Sequence, residues 1–193
     1  IYEMEEYTAV EIDEEDDWHI AEKFMYKYVL NNRPKKKIKL FLSDVDGTLT
    51  DAGMYYGESG EEFKKFNTRD GKGFELLRSK GIKTGIITSE NTKIVEDRAK
   101  KLKVDYLYQG VEHKGKLDIA KDICKKEGIS LNEVAYIGDD INCREILISV
   151  GVSACPADSV EEIKSIDNII QLNQPGGSGT VREFIDIILK EHC

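Results

Sequence analysis

The sequence predicts an α/β fold: a doubly wound, Rossmann-like parallel sheet with helices on both faces. Three observations predict it. From Ile38 onward the runs "IKLFLS", "IKTGIITS", "VDYLYQ", "VAYIGDD", "GVSACP" and "NIIQL" each fit a strand buried on both faces. Helical patterns fall between them, at roughly 70–80, 91–102, 114–127, 141–149, 159–165 and 179–190, and such alternation selects parallel crossovers. Carboxylates then gather where two of the apolar runs stop, Asp44 and Asp46 after the first and Asp139 and Asp140 after the fourth. Open α/β sheets bind ligands beyond the carboxyl ends of their strands.

Taken in order, the chain opens with an acidic segment and a helix. "DDWHIAEKFMYKYVL" sets Trp18, Ala21, Met25 and Tyr28 at helical spacing behind Asp16 or Asp17 as a cap. "NNRPKKK" reads as a polar linker with Pro34 as the breaker, so residues 1–34 form an appendage and 35–193 the main domain. After the first strand, "TLTDAGMYYGESGEEFKKFN" breaks the rhythm. Its Met54, Tyr55 and Tyr56, the turn from Gly57 to Gly60, then Phe63 and Phe66 read as an inserted β-hairpin. The first residue is Ile rather than Met, which leads us to expect a longer protein upstream.

Composition narrows the function. The net charge is −9, but nine of the 37 acidic residues lie in the first 17, leaving 28 acids against 28 Lys and Arg in the remainder. That balance argues against general nucleic-acid binding. No apolar stretch approaches a membrane span and no leader is evident, so the expectation is a cytoplasmic chain with no membrane partner. Cys124, Cys143, Cys155 and Cys193 are far apart with no C-x-x-C pair, which fits reduced, mostly buried thiols. His19 and His192 have no accompanying ligand cluster and are given no role.

If the first and fourth strands are neighbours, Asp44, Asp46 and Asp139 crowd one crevice. Like charges that close raise one another's pKa unless a cation sits among them. Carboxylate oxygens without clustered His or Cys suit Mg²⁺ rather than zinc. The cluster belongs to an ordered set: "DVDGT" at 44–48, Thr88 after "GIIT", Lys114 opening a helix, and "GDD" at 138–140. Singly, Thr88 reads as a strand-end hydroxyl and Lys114 as a solvated helix residue, as do the neighbouring His113 and Lys116, which are expected at the surface.

The ordered set resembles the haloacid dehalogenase superfamily of phosphotransferases over essentially all of 38–190. The resemblance implies Asp44 as the nucleophile that forms an aspartyl-phosphate, and Asp46 as the general acid/base. It implies Thr88 and Lys114 as ligands of the phosphoryl group. It also implies Mg²⁺ held by Asp44, the backbone carbonyl of Asp46 and Asp139, with Asp140 in support and Gly47 permitting the reversal between the two acids.

Asp46 and Thr88 are separated by 41 residues and Thr88 and Lys114 by 25, so no cap domain fits between motifs. A capless site needs a neighbour to exclude water, and the apolar hairpin is suited to assembly. With "FNTRDGKGF" at 66–74 and "PGGSGTVREF" at 175–184, the chain resembles the tetrameric sugar-acid phosphatases. That implies a homotetramer with shared sites and a role for Gly176, Gly177 and Arg182 in a tail closing over a neighbour. Because apolar periodicity resumes only at Val181, removal of 175–193 is expected to harm turnover more than stability.

Two substrates are open. Glu90 after Thr88, with Arg98 and Lys101 on the next helix, resembles the enzymes acting on nonulosonate 9-phosphates; 3-deoxy-octulosonate 8-phosphate is the alternative. "AVEIDEEDDWHIAEKFM" resembles the C-terminal end of acylneuraminate cytidylyltransferases, with Asp13 matching and Glu11 departing, and tips the expectation toward the nine-carbon sugar and a bifunctional protein. A noncatalytic module that tetramerises a cytidylyltransferase is the alternative from another class, although such a module has no use for five site residues together.

Overall fold

The computed structural model describes residues 12–25, 37–112 and 115–192. The chain divides into two units, residues 1–35 and residues 36–193. In the first, helix α1 (Glu15–Phe24) begins two or three residues earlier than a cap at Asp16 or Asp17 would place it. The capping residue is Glu14, and Asp17 stands inside the first turn, where its carboxylate accepts from the backbone N–H groups of Asp13 and Glu14. Tyr28 and the linker around Pro34 lie outside the described residues.

In the second unit the strands are β1 (Leu40–Ser43), β4 (Lys83–Ile87), β5 (Tyr106–Tyr108), β6 (Val134–Ile137), β7 (Val152–Cys155) and β8 (Ile170–Gln171), and β2 (Tyr55–Tyr56) pairs with β3 (Glu62–Phe63) in a separate hairpin. The main sheet is parallel throughout, in the order β5-β4-β1-β6-β7-β8. The helices are α2 (Thr68–Ser79), α3 (Lys93–Leu102), α4 (Gly115–Glu127), α5 (Arg144–Leu147), α6 (Glu161–Lys164) and α7 (Thr180–Glu191).

Strand β1 is central because it is apolar on both faces. Phe41 joins Phe74, Leu77, Phe184, Ile185 and Ile188 on one side, while Leu40 and Leu42 join Ile123, Tyr136 and Ile146 on the other. The Phe41 ring meets Phe74 edge-on at 5.6 Å, and Phe184 lies 5.9 Å away. Val181, Phe184, Ile185 and Ile188 make one fully buried stripe on α7. This corrects the truncation expectation: removing 175–193 would take out part of the core, not merely a tail.

Between β1 and β4 lie only the hairpin and α2, and between β4 and β5 only α3, so the fold carries no cap domain. The hairpin turns at Gly57–Gly60, with Gly60 at φ +88°, and a Thr50–Phe66 bridge extends its ladder. Met54, Tyr55, Tyr56 and Phe63 are exposed rather than packed on the sheet. No described helix is long and apolar enough to cross a membrane.

Candidate active site

Register brings the motifs together. Ser43, the last residue of β1, pairs with Ile137 on β6 and Ile86 on β4. Asp44 therefore leaves the sheet beside Gly138–Asp139 on one flank and close to Thr88 on the other. This is the point where the strand order reverses, with β4 and β5 to one side of β1 and β6 to β8 to the other.

Asp44 is buried, at 4% exposure, and its carboxylate is held from three directions. Its Oδ1 accepts from the Val45 N–H at 2.7 Å. Its Oδ2 accepts from Lys116 Nζ at 2.5 Å and from Cys143 Sγ at 2.9 Å. Cys143 also touches Lys116 Nζ at 3.3 Å and the Tyr136 hydroxyl at 3.2 Å. Burial first, and then the Asp44 charge, push the Cys143 thiol well above its ordinary value, so it stays protonated. Burial is the largest single influence and works to lower Lys116, but the interactions with Asp44 and Cys143 together outweigh it and the ammonium's pKa is raised.

Lys116 corrects the sequence reading, which placed it at the surface: it is 1% exposed in the first turn of α4. Lys114 lies outside the described residues. The signal for Lys116 was in the sequence, because Lys116, Ala120, Ile123 and Cys124 stand at i, i+4, i+7 and i+8 and form the buried face of α4.

Asp46 is partly buried and faces a second lysine. Lys64 Nζ, wholly buried on the chain leaving β3, lies 2.5 Å from Asp46 Oδ1 and 2.5 Å from Glu90 Oε2, with Glu62 at 3.6 Å. Burial raises the Asp46 carboxyl above its ordinary value even though Lys64 pulls the other way. Sequence reasoning missed Lys64. Its signal is a period of two, since Glu62, Lys64 and Phe66 turn inward while Phe63 and Lys65 are exposed.

Asp139 is pushed up to about 7, first by burial and then by the Asp44 charge. Its Oδ1 accepts from the Thr48 hydroxyl at 3.4 Å. A side chain at Gly47, which sits at φ +70°, would lie 1.9 Å from Asp139 Oδ2, so glycine there serves both the turn and the approach of the carboxylate. A buried carboxylate, Asp44, beside a half-buried one, Asp139, that its charge pushes up fits a hard divalent cation. No three His, Cys, Asp or Glu side chains gather around a metal position among the described residues. Asp44 and Asp139 are the two carboxylates that could hold such an ion.

Thr88 is buried, and its hydroxyl accepts from the Glu90 N–H at 3.3 Å. Asp140 is exposed and accepts from the Ile141 N–H at 2.7 Å, capping the short 3₁₀ turn Ile141–Cys143. Gly176 and Gly177 pack on the loop after β1 in their own chain. A Cβ at Gly176 would meet the Gly47 carbonyl at 2.2 Å, and Gly177, at φ +63°, donates to the Thr48 carbonyl at 3.0 Å.

The remaining expected residues stand elsewhere. Arg98 donates to the Asn67 carbonyl at 2.8 Å and lies 5.1 Å from the centre of the Phe66 ring, bracing the end of the hairpin. Lys101 is exposed on α3. Arg182 pairs with Asp186 at 2.8 Å on α7, and its N–H donates to Asp70. Within one chain none of these three joins Asp44 and Asp46: Arg98 is engaged at the hairpin base, Arg182 on its own helix, and Lys101 stands exposed on α3.

This arrangement matches known proteins. A profile of haloacid dehalogenase-like hydrolases covers residues 71–151. The 3-deoxy-D-manno-octulosonate 8-phosphate phosphatase of Escherichia coli K12 is 39% identical over 155 residues, 80% of each chain. The Yersinia pestis enzyme of that name superposes with a TM-score of 0.76 at 37% identity, over 80% of this chain and 82% of the other. The Moraxella catarrhalis enzyme, solved with magnesium, phosphate and a KDO molecule, gives 0.76 at 36% identity over 80% and 87%. An aspartate at the reversal of a parallel sheet, its buried lysine and these relatives agree, and the chain belongs to the haloacid dehalogenase-like hydrolases, in the family of the octulosonate 8-phosphate phosphatases.

Proposed function

We propose that this hydrolase is a Mg²⁺-dependent phosphatase of sugar-acid phosphates. The observation that carries the reading is the Asp44–Lys116 pair: a carboxylate locked in rotation at the sheet's switch point, with a cation in place to neutralise charge as it becomes esterified. Asp44 attacks phosphorus, and the leaving alkoxide takes its proton from Asp46, whose carboxyl burial raises above its ordinary value. Asp46 then takes a proton from the water that attacks the aspartyl-phosphate. Thr88 orients a phosphoryl oxygen. When bound by Asp44, the Asp46 carbonyl and Asp139, Mg²⁺ supplies charge neutralisation on the phosphoryl oxygens.

The relatives favour 3-deoxy-D-manno-octulosonate 8-phosphate as substrate, the alternative of the sequence reading rather than its first choice. One observation favours the nonulosonate 9-phosphate as a second reading: Glu90 stands at the site, sharing Lys64 with Asp46. Of the segment likened to a cytidylyltransferase, residues 12–25 are described and form helix α1 with its cap, and a bifunctional protein rests on that likeness alone. The exposed hairpin residues Tyr55, Tyr56 and Phe63 support the homotetramer with shared sites. A side-by-side kcat/KM comparison of the two sugar phosphates, with Mg²⁺ and then EDTA and with Glu90→Ala, tests both levels. No turnover of either sugar phosphate contradicts the phosphatase, and turnover undiminished in EDTA contradicts its dependence on Mg²⁺. Preference for the nonulosonate that Glu90→Ala abolishes reverses the substrate order.

A further inference from the structure

The buried thiol against Asp44 is unused by the mechanism above. We infer that Cys143 is a positioning residue, fixing the rotation of the Asp44 carboxylate and its contact with Lys116. The inference deepens the proposed function and rests on Asp44 being the nucleophile.

A carboxylate's last torsion is soft, so an aspartate with one partner samples a broad range of planes. Here Val45 N–H holds one oxygen, and Lys116 and Cys143 converge on the other from α4 and from the 3₁₀ turn after Asp140. A flexible ammonium by itself holds a distance but not a plane. The sulfur supplies the second direction, and it is itself seated: the Tyr136 hydroxyl lies 3.2 Å away and Lys116 Nζ 3.3 Å away, with Cys143 and Tyr136 both wholly buried.

Gly138 completes the seat. A Cβ there would lie 2.6 Å from Cys143 Sγ and 3.0 Å from the Tyr136 ring, yet Gly138 is not among the positive-φ residues. The glycine of the "GDD" stretch is therefore required by the sulfur and the phenol rather than by the turn. One segment thus delivers Asp139 and, four residues on, the thiol that orients Asp44. Reacting atoms held within a fraction of an ångström of their attack geometry are worth orders of magnitude in rate.

The test is p-nitrophenyl phosphate hydrolysis with Mg²⁺, whose good leaving group needs little help from Asp46 and so isolates the nucleophile. Cys143→Ala should lower kcat about 10–100-fold, the loss expected for one hydrogen bond to a charged group, with KM within about threefold. Cys143→Ser, which keeps a donor in place, should recover most of kcat. Tyr136→Phe keeps the ring and removes the hydroxyl that seats the sulfur; it should cost kcat a few-fold at unchanged KM, and it serves if Cys143→Ala does not fold. Wild-type kcat in Cys143→Ala, Ser no better than Ala, a loss confined to KM, or wild-type kcat in Tyr136→Phe overturns the inference. Asp44→Asn in the same assay separates the levels. If it is inactive while Cys143→Ala is unimpaired, only the positioning role falls; if it is active, the proposed function falls too.

Discussion

Two lysines serve two aspartates in this molecule, and they are built differently. Lys116 comes from the first turn of a core helix and meets Asp44 where both are almost fully buried, at 1% and 6% side-chain exposure. Lys64 comes from an inserted hairpin and meets Asp46 and Glu90, whose side chains are 32% and 36% exposed. The first pair is part of the packing: its position follows from the sheet register and from the apolar stripe of α4. The second is delivered by a two-stranded ribbon with no core of its own. In the proposed mechanism the difference separates what the fold fixes from what it leaves adjustable, the attacking atom on one side and proton transfer and substrate choice on the other.

The comparison breaks most visibly at Lys116. Lys116→Met should remove activity to near background and destabilise the Mg²⁺-free protein by about 3–5 kcal/mol, because Asp44 stays behind as a buried, unpaired charge. Denaturant unfolding in EDTA checks the second half, and adding Mg²⁺ should restore part of the loss by mass action. A stable, active Lys116→Met protein would mean that the two lysines are equivalent.

Lys64→Met should behave otherwise. With both carboxylates partly solvated, stability should fall by no more than about 1 kcal/mol. Turnover of an alkyl sugar phosphate should fall by about 10²-fold, since Asp46 loses its partner and its orientation. Turnover of p-nitrophenyl phosphate should fall much less. The ratio of the two losses is the readout; equal losses would place Lys64 with the nucleophile and not with proton transfer.

Asp70 sharpens the contrast, as a buried carboxyl with no lysine at all. Among the described residues its Oδ1 accepts the Arg182 N–H alone, and its Oδ2 is buried without a hydrogen-bond partner. Burial, stronger than that bond and the nearby Arg98 and Arg182 charges, raises it from 3.8 to about 6. The folded state therefore holds this proton more tightly than the unfolded one. Stability should be greatest below about pH 4 on this group's account, decline between about 4 and 6, and be level above, by roughly 2–3 kcal/mol at most. Asp70→Asn should flatten that part of the stability–pH curve, measured by urea unfolding across the range.

The contrast also marks how far the sequence could be read. The sheet, the helices, the hairpin and the absence of a cap were legible because apolar period and turn residues are local signals. Asp44, Asp46, Thr88 and Asp139 were legible because strand ends collect at one edge of a parallel sheet. Lys116 was misplaced at the surface because a lysine between His113 and Leu117 looks solvated unless its helical phase is counted against Ala120 and Ile123. Lys64 was missed because only the fold of the hairpin back over the loop brings residues 46, 64 and 90 together. Arg98 was expected beside the phosphate but braces Phe66 and Asn67, since a guanidinium's reach depends on the tilt of its helix, which no spacing encodes.

The central claim is that Asp44 carries the phosphoryl group. The direct measurement is acid quenching of the enzyme during turnover of a labelled phosphate ester, followed by mapping of the acyl-phosphate by mass spectrometry. The account predicts label on the peptide holding Asp44, sensitive to hydroxylamine, and none in Asp44→Asn, whose phosphate release should also vanish. Label on another residue, or undiminished turnover in Asp44→Asn, would contradict it.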